Sequence, residues 1–128
     1  MESEILPLLD GLLYPSESDE PVVYMCMPHA GDGWLSTEDL SKLILIDPDT
    51  SVAERDPSRF WSAVTTQQEW YDAAERVRTD RFSRLKDILD GNLENIQYFE
   101  VGETEVILYY IGVYGQSLRG VRTMAVRT

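Results

Sequence analysis

The chain reads as an α/β protein of the α+β type: a three-layer α-β-α sandwich on a mainly antiparallel sheet. Three observations predict it. The stretch 104–113 is apolar on both alternate sets, with Val106, Leu108 and Tyr110 on one side and Ile107, Tyr109 and Ile111 on the other. A strand with no polar face is covered on both sides, so helices are expected above and below it. Residues 65–91 carry apolar side chains at spacings of three and four: Ala74, Val77, Phe82, Leu85, Ile88 and Leu89. That spacing marks one buried helical stripe. The third observation is the tight punctuation around 102–103 and 114–117, which turns the C-terminal third into an antiparallel meander.

Taken in order, Ser3–Leu13 predicts a short helix, with Ser3 as cap and Pro7 tolerated near its start. Tyr14–Pro21, bracketed by prolines and holding Glu17, Asp19 and Glu20, predicts an acidic loop. Val22–Met27 reads as a buried strand, and 27–34 as a Gly/Pro loop. Ser36–Asp39 opens a single helical turn, Lys42–Ile46 reads as a second apolar strand, and 47–51 as a turn. Asp56-Pro57 starts a short helix through Val64, since proline suits the first helical position. The long helix then begins at a Thr66/Glu69 capping box and stops at Asp90-Gly91-Asn92, glycine taking the left-handed conformation beyond the last turn. At ~1.5 Å per residue, a helix of about 25 residues spans roughly 37 Å. Strands follow at Ile96–Val101, Thr104–Val113 and Leu118–Arg127.

At 128 residues one domain over the whole chain (1–128) is expected. Twenty-three acidic residues against 11 basic ones give a net charge of −12. The acidity is lopsided: residues 1–60 hold 13 acids and 3 bases (−10), and residues 61–128 hold 10 and 8 (−2). Direct nucleic-acid binding is disfavoured, because it depends on Lys and Arg neutralising phosphates. A basic protein partner is favoured by complementary fields, while solubility alone is the simpler reading of the same charge. Cys26 is the only cysteine, which excludes an internal disulfide. With no signal peptide and no apolar run of the ~18 residues that span a membrane, a cytoplasmic location without membrane attachment is expected.

The catalytic inventory is thin. His29 is the only histidine and sits in a Gly/Pro loop; Cys26 lies in an apolar run, where an inert buried thiol is the default. Gly115–Gly120 has the glycine spacing of a P-loop without the Lys-Ser/Thr that must follow. Ser83–Lys86 matches S-x-x-K in mid-helix, without its partner motifs. Glu17, Asp19 and Glu20 lack the spacing of a Ca²⁺ loop and a second titrating partner. No catalytic residue and no cofactor is assigned, and a non-enzyme is expected. What remains is a surface: the acidic loop, Glu69-Trp70 at the mouth of the long helix, and Thr128. On pattern, Trp70 lies close enough to the apolar stripe to favour the core.

Four blocks carry a resemblance. They are Asp10–Ser18 (DGLLYPSES) with the acids and Pro21 behind it, Thr65–Tyr71 (TTQQEWY), Asn92–Asn95 (NLEN), and Tyr109–Gly112 (YYIG) through Leu118–Thr123 (LRGVRT) to Thr128. Together they resemble the nuclease A inhibitor family, small acidic proteins that block a sugar-non-specific, metal-dependent endonuclease. The likeness runs over nearly the full length and weakens between about Pro28 and Arg59. It implies an α-β-α sandwich and a partner-binding face made of Ser16, Glu17, Ser18, Asp19 and Glu20, Glu69 and Trp70, and Thr128. Glu17 matches a glutamate that reaches toward the nuclease's catalytic site. Glu69-Trp70 matches an Asp-Trp pair, and Thr128 a C-terminal threonine that approaches the nuclease's active-site divalent metal; Arg127 stands where the family pattern has an acid. The implied partner is a basic, Mg²⁺-dependent, non-specific nuclease, bound one-to-one. The alternative is an acidic interaction module for a different basic partner.

Overall fold

A computed structural model describes residues 1–28, 33–47 and 49–127. In chain order the elements are α1 (Glu2–Leu9), β1 (Leu13–Tyr14), β2 (Glu20–Pro21), β3 (Val23–Pro28), α2 (Thr37–Leu43), β4 (Val52–Arg55), α3 (Ser58–Trp61), α4 (Ala73–Asn92), β5 (Glu94–Val101), β6 (Glu105–Tyr114) and β7 (Ser117–Val126). The class is α+β. Five strands form one sheet in the order β3-β7-β6-β5-β4, every pairing antiparallel, and β1 with β2 makes a separate two-stranded sheet. The C-terminal meander is present as expected, with β6 and β7 in register from Glu105↔Val126 to Tyr114↔Ser117.

The two alternate side-chain sets of β6 divide between two hydrophobic clusters. Val106, Leu108 and Tyr110 join the larger one, with Ile5 of α1, Phe60 and Trp61 of α3, and Phe82, Leu85, Ile88 and Leu89 of α4. Tyr109 and Ile111, with Ile107 packed alongside, join the smaller one, whose helical contribution is Leu40 of α2. Period-two alternation sends successive residues to opposite faces, which explains the division. The helical cover is uneven: three helices contribute to one cluster, and among the described residues only α2 contributes to the other. Phe60 sits at the centre of the larger cluster, its ring 4.7–5.5 Å from those of Trp61, Tyr14, Tyr110 and Tyr98.

Several expected boundaries shift. The long helix begins at Ala73, not near Thr66, because a different capping box starts it. Asp72 accepts from the Glu75 N–H at 2.8 Å, and Glu75 accepts from the Asp72 N–H at 3.3 Å. Thr66 instead donates to the Ser62 carbonyl at 2.7 Å, so its hydroxyl serves the turn after α3. The helix's 20 residues make it roughly 30 Å long. Its buried stripe is Thr79, Phe82, Leu85, Ile88 and Leu89, while Ala74 and Val77 face out. At the other end Gly91 stays helical, and the helix closes at Leu93.

Lys42–Ile46 is not a strand. A Ser36/Asp39 capping box extends the expected single turn into α2, with Leu40 fully buried, and the extended segment is β4 instead. β3 is an edge strand with no fully buried residue, and Cys26 is exposed instead of buried. Among the described residues no helix is long and apolar enough to cross a membrane.

Candidate partner-binding face

The acidic loop is closed by the β1–β2 pairs Leu13↔Pro21 and Tyr14↔Glu20. Two serines shape it. Ser16 Oγ donates to the Ser18 carbonyl at 2.6 Å and accepts from the Ser18 N–H at 3.3 Å, the local hydroxyl-to-backbone bonding that favours turns. Ser18 Oγ donates to Glu20 Oε1 at 2.7 Å. Ser16, Glu17 and Asp19 are exposed, and Ser18 and Glu20 half-buried. The loop is also tied to the end of the sheet. Ser16 Oγ accepts from the Val126 N–H at 3.0 Å, and Thr123 Oγ1 donates to the Pro21 carbonyl at 2.9 Å. The structure thus brings the acidic loop to the last residues of β7, 110 positions away in sequence.

Arg127 continues that strand. Its N–H donates to the Thr104 carbonyl at 2.8 Å, and its guanidinium turns to Glu100, Nη2 lying 2.7 Å from Oε2. Glu100 sits on β5 and is 7% exposed. Oε2 also accepts from the Tyr98 hydroxyl at 2.6 Å, and Oε1 from Arg55 Nε at 3.4 Å. The Arg127 hydrogen bond holds the Glu100 carboxyl down at about 2 against the upward push of burial, with the Tyr98 hydroxyl and Arg55 adding to the effect. The Tyr98 hydroxyl is pushed well above its ordinary value by burial and by the carboxylate it serves. Sequence reasoning missed this pair. Its signal is an acid between Phe99 and Val101 near the end of β5, since buried acids are rare unless paired.

Glu69 and Trp70 lie not in the helix but in the segment 65–72 before it, and the expectation of a core Trp70 is overturned. Trp70 is 76% exposed, stacked edge-on to Tyr71 with ring centroids 6.3 Å apart. With the helix starting at Ala73, position 70 leaves the buried stripe. Arg76 fixes the segment from below: Nη2 donates to the carbonyls of Gln68 (3.3 Å) and Glu69 (3.2 Å), and Nε to that of Tyr71 (3.2 Å). The Glu69 side chain is exposed. An open groove lies between the Leu13–Asp19 stretch and the start of α4, lined by Leu13 and Asp19, by Asp72, Ala73 and Val77, and by the cationic Arg78 and Arg81. Asp19 of the loop and Asp72 at the helix start border it, while Glu69 and Trp70 do not line it.

Thr128 and His29 lie outside the described residues. Among those described, no group of three or more His, Cys, Asp or Glu side chains is placed to hold a metal ion.

Glu17, Asp19 and Glu69 are exposed, Trp70 stands clear of the core, and side-chain hydrogen bonds hold the backbone of the segments that carry them. No curated protein matches this chain. A family model described as nuclease A inhibitor-like protein matches residues 2–128. With that match covering essentially its whole length, the chain belongs to the nuclease A inhibitor-like protein family.

Proposed function

We propose that the chain inhibits a metal-dependent, sugar-non-specific DNA/RNA endonuclease, covering its active site without turning over any substrate. The acids of the Ser16–Glu20 loop meet the Arg and Lys groups that normally grip substrate phosphates, through charge-assisted hydrogen bonds. Glu69 and Trp70 form a second contact, with Trp70 as the aromatic anchor. Thr128 offers a hard oxygen to the nuclease's own divalent metal, in a position that a substrate phosphate would otherwise take; Mg²⁺ accepts such ligands. The observation that carries this reading is the Val126 N–H bond to Ser16 Oγ. It supports a single face, since it draws the loop to within two residues of Thr128.

A plasmid-degradation titration tests it. A basic, Mg²⁺-dependent, sugar-non-specific endonuclease is mixed with rising amounts of the chain, with a chain lacking Thr128 in parallel. Protection that saturates at a one-to-one ratio and is weakened at least tenfold by the truncation is expected. Undiminished cleavage by the nuclease of the same organism, at every ratio, sinks the reading and leaves an acidic module for a different basic partner.

A further inference from the structure

Arg127 sets a problem of charge. It follows Val126, whose N–H is bonded to Ser16 Oγ, so its side chain departs from the flank of a loop that carries Glu17, Asp19 and Glu20. A long, flexible guanidinium at that place has two sets of carboxylates to choose between. Glu17 and Asp19 are exposed and Glu20 is half-buried, and ion pairs this close to solvent gain little because water screens them. Glu100 is buried, and a buried carboxylate is strongly destabilising unless paired. The choice falls to Glu100. The 2.7 Å contact turns Arg127 toward β5, with Tyr98 and Arg55 completing the carboxylate's bonding.

We propose that Glu100 is a positioning residue for partner recognition: by holding the Arg127 guanidinium against β5, it withholds that cation from the Ser16–Glu20 loop and keeps the loop's negative field directed at a basic partner. The identity of the partner rests on the inhibitor reading; the withholding of Arg127 does not. Removing the Glu100 charge releases Arg127 to the loop, where it competes with the partner's own Arg and Lys side chains.

Four variants are compared with the parent chain: Glu100→Gln, Arg127→Gln, the double variant, and Asp87→Asn. The last makes the same change in net charge as Glu100→Gln at an exposed position of α4. In the free protein, nuclear Overhauser contacts between the Arg127 guanidinium and the protons of residues 16–20 are expected in Glu100→Gln and not in the parent. In stopped-flow mixing with the endonuclease at low salt, Glu100→Gln is expected to associate roughly tenfold more slowly, the lower range of electrostatic steering effects. Asp87→Asn is expected to change the rate by less than about twofold, as remote charges are screened. Arg127→Gln and the double variant are expected at or above the parental rate.

Absence of the new contacts in Glu100→Gln overturns the proposal. So does a Glu100→Gln rate no slower than that of Asp87→Asn, or a double variant as slow as Glu100→Gln, since rescue by removing the released cation is what a merely structural role would not produce. New contacts with a parent chain that inhibits no nuclease would uphold the withholding of Arg127 and remove the inhibitor reading. Stoichiometric inhibition with no new contacts would do the reverse.

Discussion

Glu100 stands on β5 between the guanidinium groups of Arg55 and Arg127, 7% exposed. A buried carboxylate is costly unless its charge is answered, and here three donors answer it. The consequence is a stability that depends on acid pH. The folded carboxyl titrates at about 2, below its ordinary 4.5, so its contribution is fully present above pH 4.5 and is lost as pH falls toward 2. Glu100→Gln is therefore expected to be less stable than the parent at pH 7, with a flatter stability profile between pH 4.5 and 2. Urea denaturation at pH 7, 4.5, 3 and 2 checks this: the parent and variant midpoints should converge as pH falls, and a constant gap would refute the assignment. Tyr14 stays outside this titration. Burial is the main force pushing its hydroxyl up to about 12, which leaves it a donor to the Phe60 carbonyl at 2.7 Å beneath the start of the acidic loop.

Elements were legible where one pattern dominated. The β6 alternation led directly to two-sided burial, and the turns at 102–104 and 115–116 led to the meander, because strand period and turn chemistry agree there. Elements were misread where two patterns competed. Thr66-x-x-Glu69 and Asp72-x-x-Glu75 both fit a capping box, and only tertiary contacts separate them: Thr66 is claimed by the Ser62 carbonyl, and Arg76 by the carbonyls of the segment before the helix. Lys42–Ile46 differs for a related reason: a short apolar run does not distinguish a strand from a helix end, and here it ends α2 with Leu43 and Leu45 exposed. The choice of cap is measurable. Asp72→Ala is expected to cost about 1 kcal/mol of stability, and Thr66→Ala less than about half of that, since only Asp72 satisfies an N–H at the start of α4. Equal losses, or the reverse order, in thermal or urea denaturation would return the helix start to Thr66.

On the scale of the whole molecule, the acidic loop of the first half of the chain is held by the last strand of the second half. Ser16 and Val126 meet across 110 positions, and Asp19 faces the α4 start across a groove. The acidic loop was readable as a loop from its prolines and charges, whereas its attachment to β7 was not, because such a bond is set by topology and leaves no local pattern. The exposure of Trp70 was hidden for the same reason: its burial followed from a helix start that tertiary contacts place elsewhere. That exposure now makes the face testable by light. Of the three tryptophans, Trp61 is 1% exposed, while Trp34 and Trp70 are 65% and 76% exposed. In a Trp34→Phe background, acrylamide quenching of the free protein therefore reports chiefly on Trp70. Binding of the endonuclease through the Glu69–Trp70 segment should remove most of that quenching after subtraction of the partner's own signal. Trp70→Ala should weaken the complex about tenfold or more, as interface tryptophans do, and leave the melting temperature nearly unchanged because the ring contributes little to the core. Quenching that persists in a stoichiometric complex would take Trp70 out of the interface and leave recognition to the loop and Thr128. A large fall in melting temperature would mean that the exposed ring supports the segment 65–72 instead of the partner.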